Sequence, residues 1–387
     1  SRRGTPAFHS GARAMRLHGR AFVDGSLRDD ILITIEDQVI VDVEQTSHVP
    51  AGAERVPGLV VPGFIDLHVH GGDGADFMDA HEDATARILG FHATHGTTAL
   101  AATTLSASRG DLHAAVETIA ACRSDGAEIV GIHLEGPFIN TMRAGAQDRA
   151  SIRPADIHEV AALIAEAPRL RWIITVAPEI EGSRALIEHF KDRVLFSIGH
   201  TNAGHGETVA ALEWGACHFT HLYNAMTPLH HRDPGVVGAA LTAVDATAEL
   251  IADGIHVHPA ALRIAVNAMP HRIALITDAM RACGLAEGTY KLYEHEVTVA
   301  DGAARLADGT LAGSVLTMDA AVRNMIELAG LPIETVIPLA TEVPARIANV
   351  ANRKGKIERR YDADLVLMNE RFEVERVWGR GRAVGNV

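Results

Sequence analysis

Aromatic side chains are scarce in this sequence, 4% of 387 residues, so Ala, Val, Ile and Leu must fill any core. Only three cysteines occur, Cys122, Cys217 and Cys283, far apart and without a CxxC spacing. That number and spacing exclude a disulfide framework and a thiolate zinc knuckle, and suit a reducing cytoplasm. No apolar stretch approaches the roughly 18 residues that a membrane span needs, and the N-terminus lacks the apolar core of a signal peptide. No membrane partner is expected. Clustered basic residues are missing too: the formal charge is −14, and no stripe of Lys and Arg offers itself to a phosphate backbone. A nucleic-acid partner is therefore not expected, and an anionic small substrate would need a local cationic pocket.

What is present is an average globular composition, 47% hydrophobic and 22% charged. The length suits one large α/β barrel of about 250 residues with an accessory module, or two to three ordinary domains. Residues 1–14 are small, basic and aperiodic, and read as a tag or disordered extension ahead of Met15. Residues 16–60 hold three β-like segments, Arg20 to Asp24, Asp30 to Glu36 and Gln38 to Glu44. The C-terminus has the same texture at Asp364 to Met368 and Val374 to Trp378. Two β-rich ends around a long middle predict one small β-sandwich module, from residues 15–58 and 351–387, built by both termini.

The middle, residues 59–350, alternates eight apolar runs with helical stretches. The runs are Leu59 to Leu67, Thr97 to Thr103, Glu128 to Leu134, Trp172 to Ala177, Val194 to Ile198, His218 to Leu222, Ala248 to Ala252 and Ile273 to Thr277. Helices are expected between them, such as Ala84 to Thr94, Leu112 to Arg123 and Pro259 to Met269. Eight βα units close naturally as a (β/α)8 TIM-like barrel. A doubly wound dinucleotide fold lacks support, because no GxGxxG follows any strand.

In such a barrel the chemistry sits where strands end. The first run ends in His68-Val69-His70, whose imidazoles share one face because side chains alternate along a strand. The third ends in Glu135, the fifth in His200, the sixth carries His221 and the eighth ends in Asp278. Each has a bland reading alone, as a turn histidine, a hydrogen-bonded carboxylate or a helix cap. Together, four histidines and a carboxylate on one rim match a site for one or two divalent ions. Zinc is preferred for such nitrogen and oxygen donors, with Fe2+ or another ion as alternatives. His133 and His218 are read as structural, on the faces turned away from Glu135 and His221. A bound ion acidifies water toward pKa ~7 and polarises a carbonyl, which amide hydrolysis needs, and Asp278 is the candidate proton carrier.

At these residues a family resemblance appears. Pro62 to Gly71 resembles the first-strand signature of the amidohydrolase superfamily. His133-Leu134-Glu135-Gly136-Pro137, Gly199-His200-Thr201-Asn202-Ala203, Thr220 to Met226, Asp253-Gly254-Ile255-His256, Thr277-Asp278-Ala279 and Leu311 to Ser314 resemble the N-acetylglucosamine-6-phosphate deacetylase family. The match runs from about residue 16 to the C-terminus.

The resemblance implies that Glu135, His200 and His221 hold the principal ion, that His68 and His70 add capacity for a second, and that Asp278 shuttles the proton. It also implies substrate contacts from Asn224, the Ala225 backbone, Arg232 and His256. A homodimer follows, with Arg232 reaching the neighbouring subunit's site. The implied reaction releases acetate and glucosamine 6-phosphate from N-acetylglucosamine 6-phosphate. An N-acetylgalactosamine 6-phosphate or other N-acyl amine hydrolase is the alternative, and a scaffold without catalysis a more distant one. Gln147 departs from the pattern, standing where a histidine usually helps polarise the acyl carbonyl; an amide can donate one N–H there but cannot become cationic.

Overall fold

A computed structural model describes residues 14–385. The segment read as a tag lies outside the described residues, except Ala14. Eight parallel strands form one sheet in sequence order: β1 (Phe64–Val69), β2 (Thr97–Thr104), β3 (Glu128–Glu135), β4 (Arg171–Val176), β5 (Val194–Ile198), β6 (His218–Phe219), β7 (Thr247–Ile251) and β8 (Ile273–Ile276). The last strand returns to the first: Asp278 N–H donates to the His68 carbonyl, and His70 and Gly71 N–H donate to the Ala279 carbonyl. The sheet thus closes as a barrel, with helices such as Glu82–Thr94, Arg109–Ala121, Ile157–Glu166 and Pro259–Ala268 between strands. All eight residues of β2 are buried, the pattern of a strand covered on both faces.

The apolar run from Leu59 to Leu67 is not one strand. It divides at Gly63 into Glu54–Pro62, which belongs to a different sheet, and β1 in the barrel. Pro62 has no N–H for a ladder, and a Cβ on Gly63 would lie 2.2 Å from the Thr98 hydroxyl, so the chain crosses where backbone and β2 touch closely. The sixth run also shortens. The chain leaves the ladder after Phe219, because Thr220 turns its hydroxyl to Thr175 and Ser197 and His221 N–H bonds to Glu249.

Both chain ends build one seven-stranded sheet. Its centre is the antiparallel pairing of Leu365–Met368 with Glu54–Pro62, and Met15–Val23 runs parallel to the latter on its other side. Leu17, Ile33, Ile40, Leu365 and Trp378 form its own apolar cluster. A three-stranded sheet over Gly288–Leu292, His295–Ala300 and Ala303–Arg305 follows the barrel, an insertion that the alternating pattern did not disclose. No helix among the described residues is long and apolar enough to cross a membrane.

A partly buried ion cluster joins the start of β3 to the C-terminal segment. Lys354, 2% exposed, places Nζ 2.9 Å from Glu128 and 3.0 Å from Asp362, and also meets Asp364. Arg353 bridges Glu128 and Asp362. Burial alone would raise the Glu128 carboxyl, but Arg353 and Lys354 pull it down to about 2. A depressed carboxylate stabilises the fold above its unfolded pKa and loses that contribution as pH falls toward the folded value. Glu128→Gln is therefore expected to remove about 2 kcal/mol at pH 7. In denaturant unfolding the gap to the parent should narrow below about pH 4.5; equal stabilities at pH 7 would refute the clamp.

Candidate metal centre and active site

The strand ends bring His68, His70, Glu135, His200, His221 and Asp278 together, all nearly buried at 0–7% exposure. Glu135 stands at the centre. Its Oε1 lies 3.1 Å from His200 Nε2, 3.0 Å from His221 Nε2 and 3.3 Å from His68 Nε2; its Oε2 lies 3.2 Å from His70 Nε2. Asp278 Oδ1 meets the same two ring nitrogens, 3.2 Å from His70 and 3.5 Å from His68. Three groups of three emerge: His68 with His70 and Glu135, and Glu135 with His200 and His221, both at the rim, and His68 with His133 and Glu249 beneath it.

The donor set fits divalent ions. His200 Nδ1 is 2.7 Å from the Arg143 carbonyl, an acceptor, so the ring's proton sits there and its Nε2 lone pair faces Glu135. Yet His200 Nε2 and His221 Nε2 are 3.0 Å apart, and His68 and His70 Nε2 are 3.2 Å apart. Bare lone pairs repel at that distance, so a proton or a metal ion must lie between them. Such separations match the ~3.3 Å edge of a tetrahedron with ~2.0 Å zinc–nitrogen bonds.

The electrostatics agree. Burial pushes His70 down, but hydrogen bonds and charge from Asp278 and Glu135 outweigh it and raise it to about 9; His68 is raised for the same reason. Burial would raise Glu135, but His68 and His200 hold it well below the usual carboxylate range. Asp278 is held down by His68 and His70. The pocket is built to keep positive charge.

Backbone conformation aims these groups. His200, His221, Tyr223, Ala225 and Asp278 all have positive φ, between 30° and 82°. Non-glycine residues adopt that region rarely, and such residues cluster at functional sites. In the tight rim a Cβ on Gly199 would meet Thr220 at 2.6 Å.

Gln147 is turned inward. Its Oε1 accepts from the Ser106 N–H at 2.6 Å, which fixes the amide's orientation and points Nε2 at Glu135 Oε2. The amide therefore braces the central carboxylate with one of its two N–H donors, while the side chain also lines the cavity. His133 corrects the expectation. Two residues from Glu135, it shares that face, pointing into the barrel to the Thr175 hydroxyl at 2.8 Å. His218 points inward as well, toward Glu249.

Above the rim opens a cavity of about 340 Å3, lined by Asn224, Ala225, His256 and Gln147 together with the rim residues other than His68. His256 is oriented by Asp253, 2.6 Å from Nδ1. Arg232 does not line it. That residue is exposed, its guanidinium 2.8 Å from His231. Instead the cavity wall carries Arg143 and Arg149, which sequence reasoning missed. It also missed Glu249 and Asp66, buried carboxylates beneath the rim. Their signal was available, since a charge inside an apolar run must have a partner across the fold.

The chain as a whole has counterparts among known proteins. The amidohydrolase family profile matches residues 59–384. The chain is 40% identical over 359 residues to an N-acetylgalactosamine-6-phosphate deacetylase of Escherichia coli O157:H7, covering 92% of this chain and 94% of that one. It is 43% identical over 324 residues to an N-acetylglucosamine-6-phosphate deacetylase of Bacillus subtilis (strain 168), covering 82% of each. Its structure superposes with TM-score 0.90 and 34% identity on an Asp-to-Ala mutant of N-acetyl-D-glucosamine-6-phosphate deacetylase from Mycobacterium smegmatis, solved in complex with N-acetyl-D-glucosamine-6-phosphate; 96% of this chain and 99% of that one are covered. The chain belongs to the N-acetylglucosamine-6-phosphate deacetylase family of the amidohydrolases.

Proposed function

We propose that the protein hydrolyses the N-acetyl amide of N-acetylglucosamine 6-phosphate, giving glucosamine 6-phosphate and acetate. The observation that carries this reading is Asp278 Oδ1, 3.2 Å from His70 Nε2, facing the cavity beside Glu135, His200 and His221. Glu135, His200 and His221 would hold the principal ion, and His68 with His70 a second sharing Glu135. A divalent ion there, zinc by its donors, supplies an acidified water and a Lewis acid for the amide carbonyl.

The side chains do the rest. Asp278 accepts the water's proton at Oδ1 and delivers it to the departing amine nitrogen, converting a poor leaving group into a neutral amine. Gln147 keeps Glu135 in place through Oε2. Asn224, Ala225 and His256 line the cavity where the sugar would lie. Arg143 has its Nε held by Asn202 at 3.1 Å, which aims its fork of N–H donors for an anion such as a 6-phosphate. Arg232 on an exposed loop suits a contact made across a homodimer.

N-acetylgalactosamine 6-phosphate is the second reading, favoured by the Escherichia coli relative, which matches more of this chain than the Bacillus one. Steady-state assays on both phosphorylated sugars and on N-acetylglucosamine itself separate the readings. The 6-phosphate should improve kcat/KM at least tenfold, and Arg143→Ala should raise KM for the phosphorylated sugar about tenfold with little change in kcat. Equal turnover with and without phosphate would end the phosphate reading.

A further inference from the structure

Glu249 takes no part in the cavity, yet it touches the metal centre from below. It sits in β7 amid Ala248, Leu250 and Ile251, at 0% exposure. Its Oε2 lies 3.0 Å from His68 Nδ1 and accepts the backbone N–H of His221 at 3.1 Å. Its Oε1 lies 3.3 Å from His218 Nε2 and 3.6 Å from His133 Nδ1. His218 is steadied in turn by Thr247, and His133 by Thr175. One carboxylate oxygen thus holds one member of each of the two rim groups, His68 of one and His221 of the other.

We propose that Glu249 is a positioning residue that couples the two ion-binding groups and gives the His68–His70 group its affinity. The chemistry is specific. An ionised carboxylate only accepts hydrogen bonds, so His68 must carry its proton on Nδ1. The Nε2 lone pair then faces His70 and Glu135, at 3.2 and 3.3 Å, where an ion would be bound. A carboxylate behind a ligand imidazole also makes that ring a stronger base and fixes its plane. The same oxygen pins His221 N–H at the point where the chain turns with φ 30°, so the rim of β6 and the pair on β1 share one anchor. Glu249 stands 181 residues from His68 and 28 from His221 along the chain; closure of the barrel brings all three together.

The inference rests on the reading of the rim as a metal centre, but not on the substrate, because metal uptake is measured without one. Metal-stripped parent, Glu249→Gln and Glu249→Leu are titrated with Zn2+ against a chromophoric chelator, with circular dichroism melts alongside. Gln can still accept from His68 and His221 while lacking the charge. The parent should take up two ions. Glu249→Gln should keep the tighter one within about threefold and bind the weaker at least tenfold less well, in the range found for partners of metal-ligating histidines. Glu249→Leu should retain one ion. Uptake of a single ion by the parent would overturn the proposal, as would two ions of parental affinity in Glu249→Gln. A Glu249→Gln protein that unfolds, or that loses both ions in equal measure, would assign Glu249 to the fold alone and overturn it as well. Absence of deacetylase activity with these metal results intact would strike only the proposed function.

Discussion

Asp278→Asn is expected to lower kcat/KM for the acetylated sugar phosphate about a thousandfold, within the span that general acid–base groups contribute. Asparagine has nearly the shape of aspartate and, like it, tolerates the left-handed backbone that residue 278 adopts at φ 51°. It can still hydrogen-bond His70, now 3.2 Å from Oδ1. What it lacks is the ability to take and return a proton. The fall should therefore appear in kcat with KM little changed, while metal content and melting temperature stay near those of the parent. Turnover at the parental rate would remove Asp278 from the proton-carrying role. A loss matched by loss of the ion would recast it as a ligand.

The second large effect is expected at Glu135. Its two oxygens meet four imidazoles within 3.3 Å, more than any other side chain at the rim. Glu135→Gln removes the one negative charge common to both groups and puts an N–H where a lone pair faced the ring nitrogens. Ion binding should weaken more than a hundredfold, and activity should fall to background at ordinary zinc concentrations. Elemental analysis after gel filtration reads the first and steady-state assay the second. The contrast with Asp278→Asn is the diagnostic: one variant keeps the metal and loses the reaction, the other loses both. A Glu135→Gln protein that retains its ion at full occupancy would show that the histidines suffice.

Both variants probe residues that are legible in the chain's own pattern. Glu135, His200 and Asp278 each close an apolar run, and a parallel α/β barrel presents such residues on one rim. The helices were legible too, because the periodicity between runs is local. Where expectation and structure part, the cause is contact between distant segments. Leu59 to Leu67 looked like one strand because nearly every residue is apolar, but apolarity does not say which sheet receives each half. Thr98 against Gly63 and Leu365–Met368 against Glu54–Pro62 decide it. His221 looked like part of a longer strand, yet its N–H is claimed by Glu249 and the chain turns. Gln147 reads as a donor to substrate, and only the fold shows that Ser106 fixes its amide and that Nε2 also meets Glu135.

The sequence by itself therefore determined the alternation of strands and helices in the barrel and the set of ligand-bearing strand ends, since each depends on neighbours a few residues apart, but not the three-stranded insertion or the division of the first run at Gly63. Only the tertiary structure decided that Glu249 underlies His68, that Arg143 rather than Arg232 lines the cavity of its own chain, and that Gln147 braces Glu135. Those relations join residues 12 to 181 positions apart, and no local period encodes a partner that the closure of eight strands brings into reach.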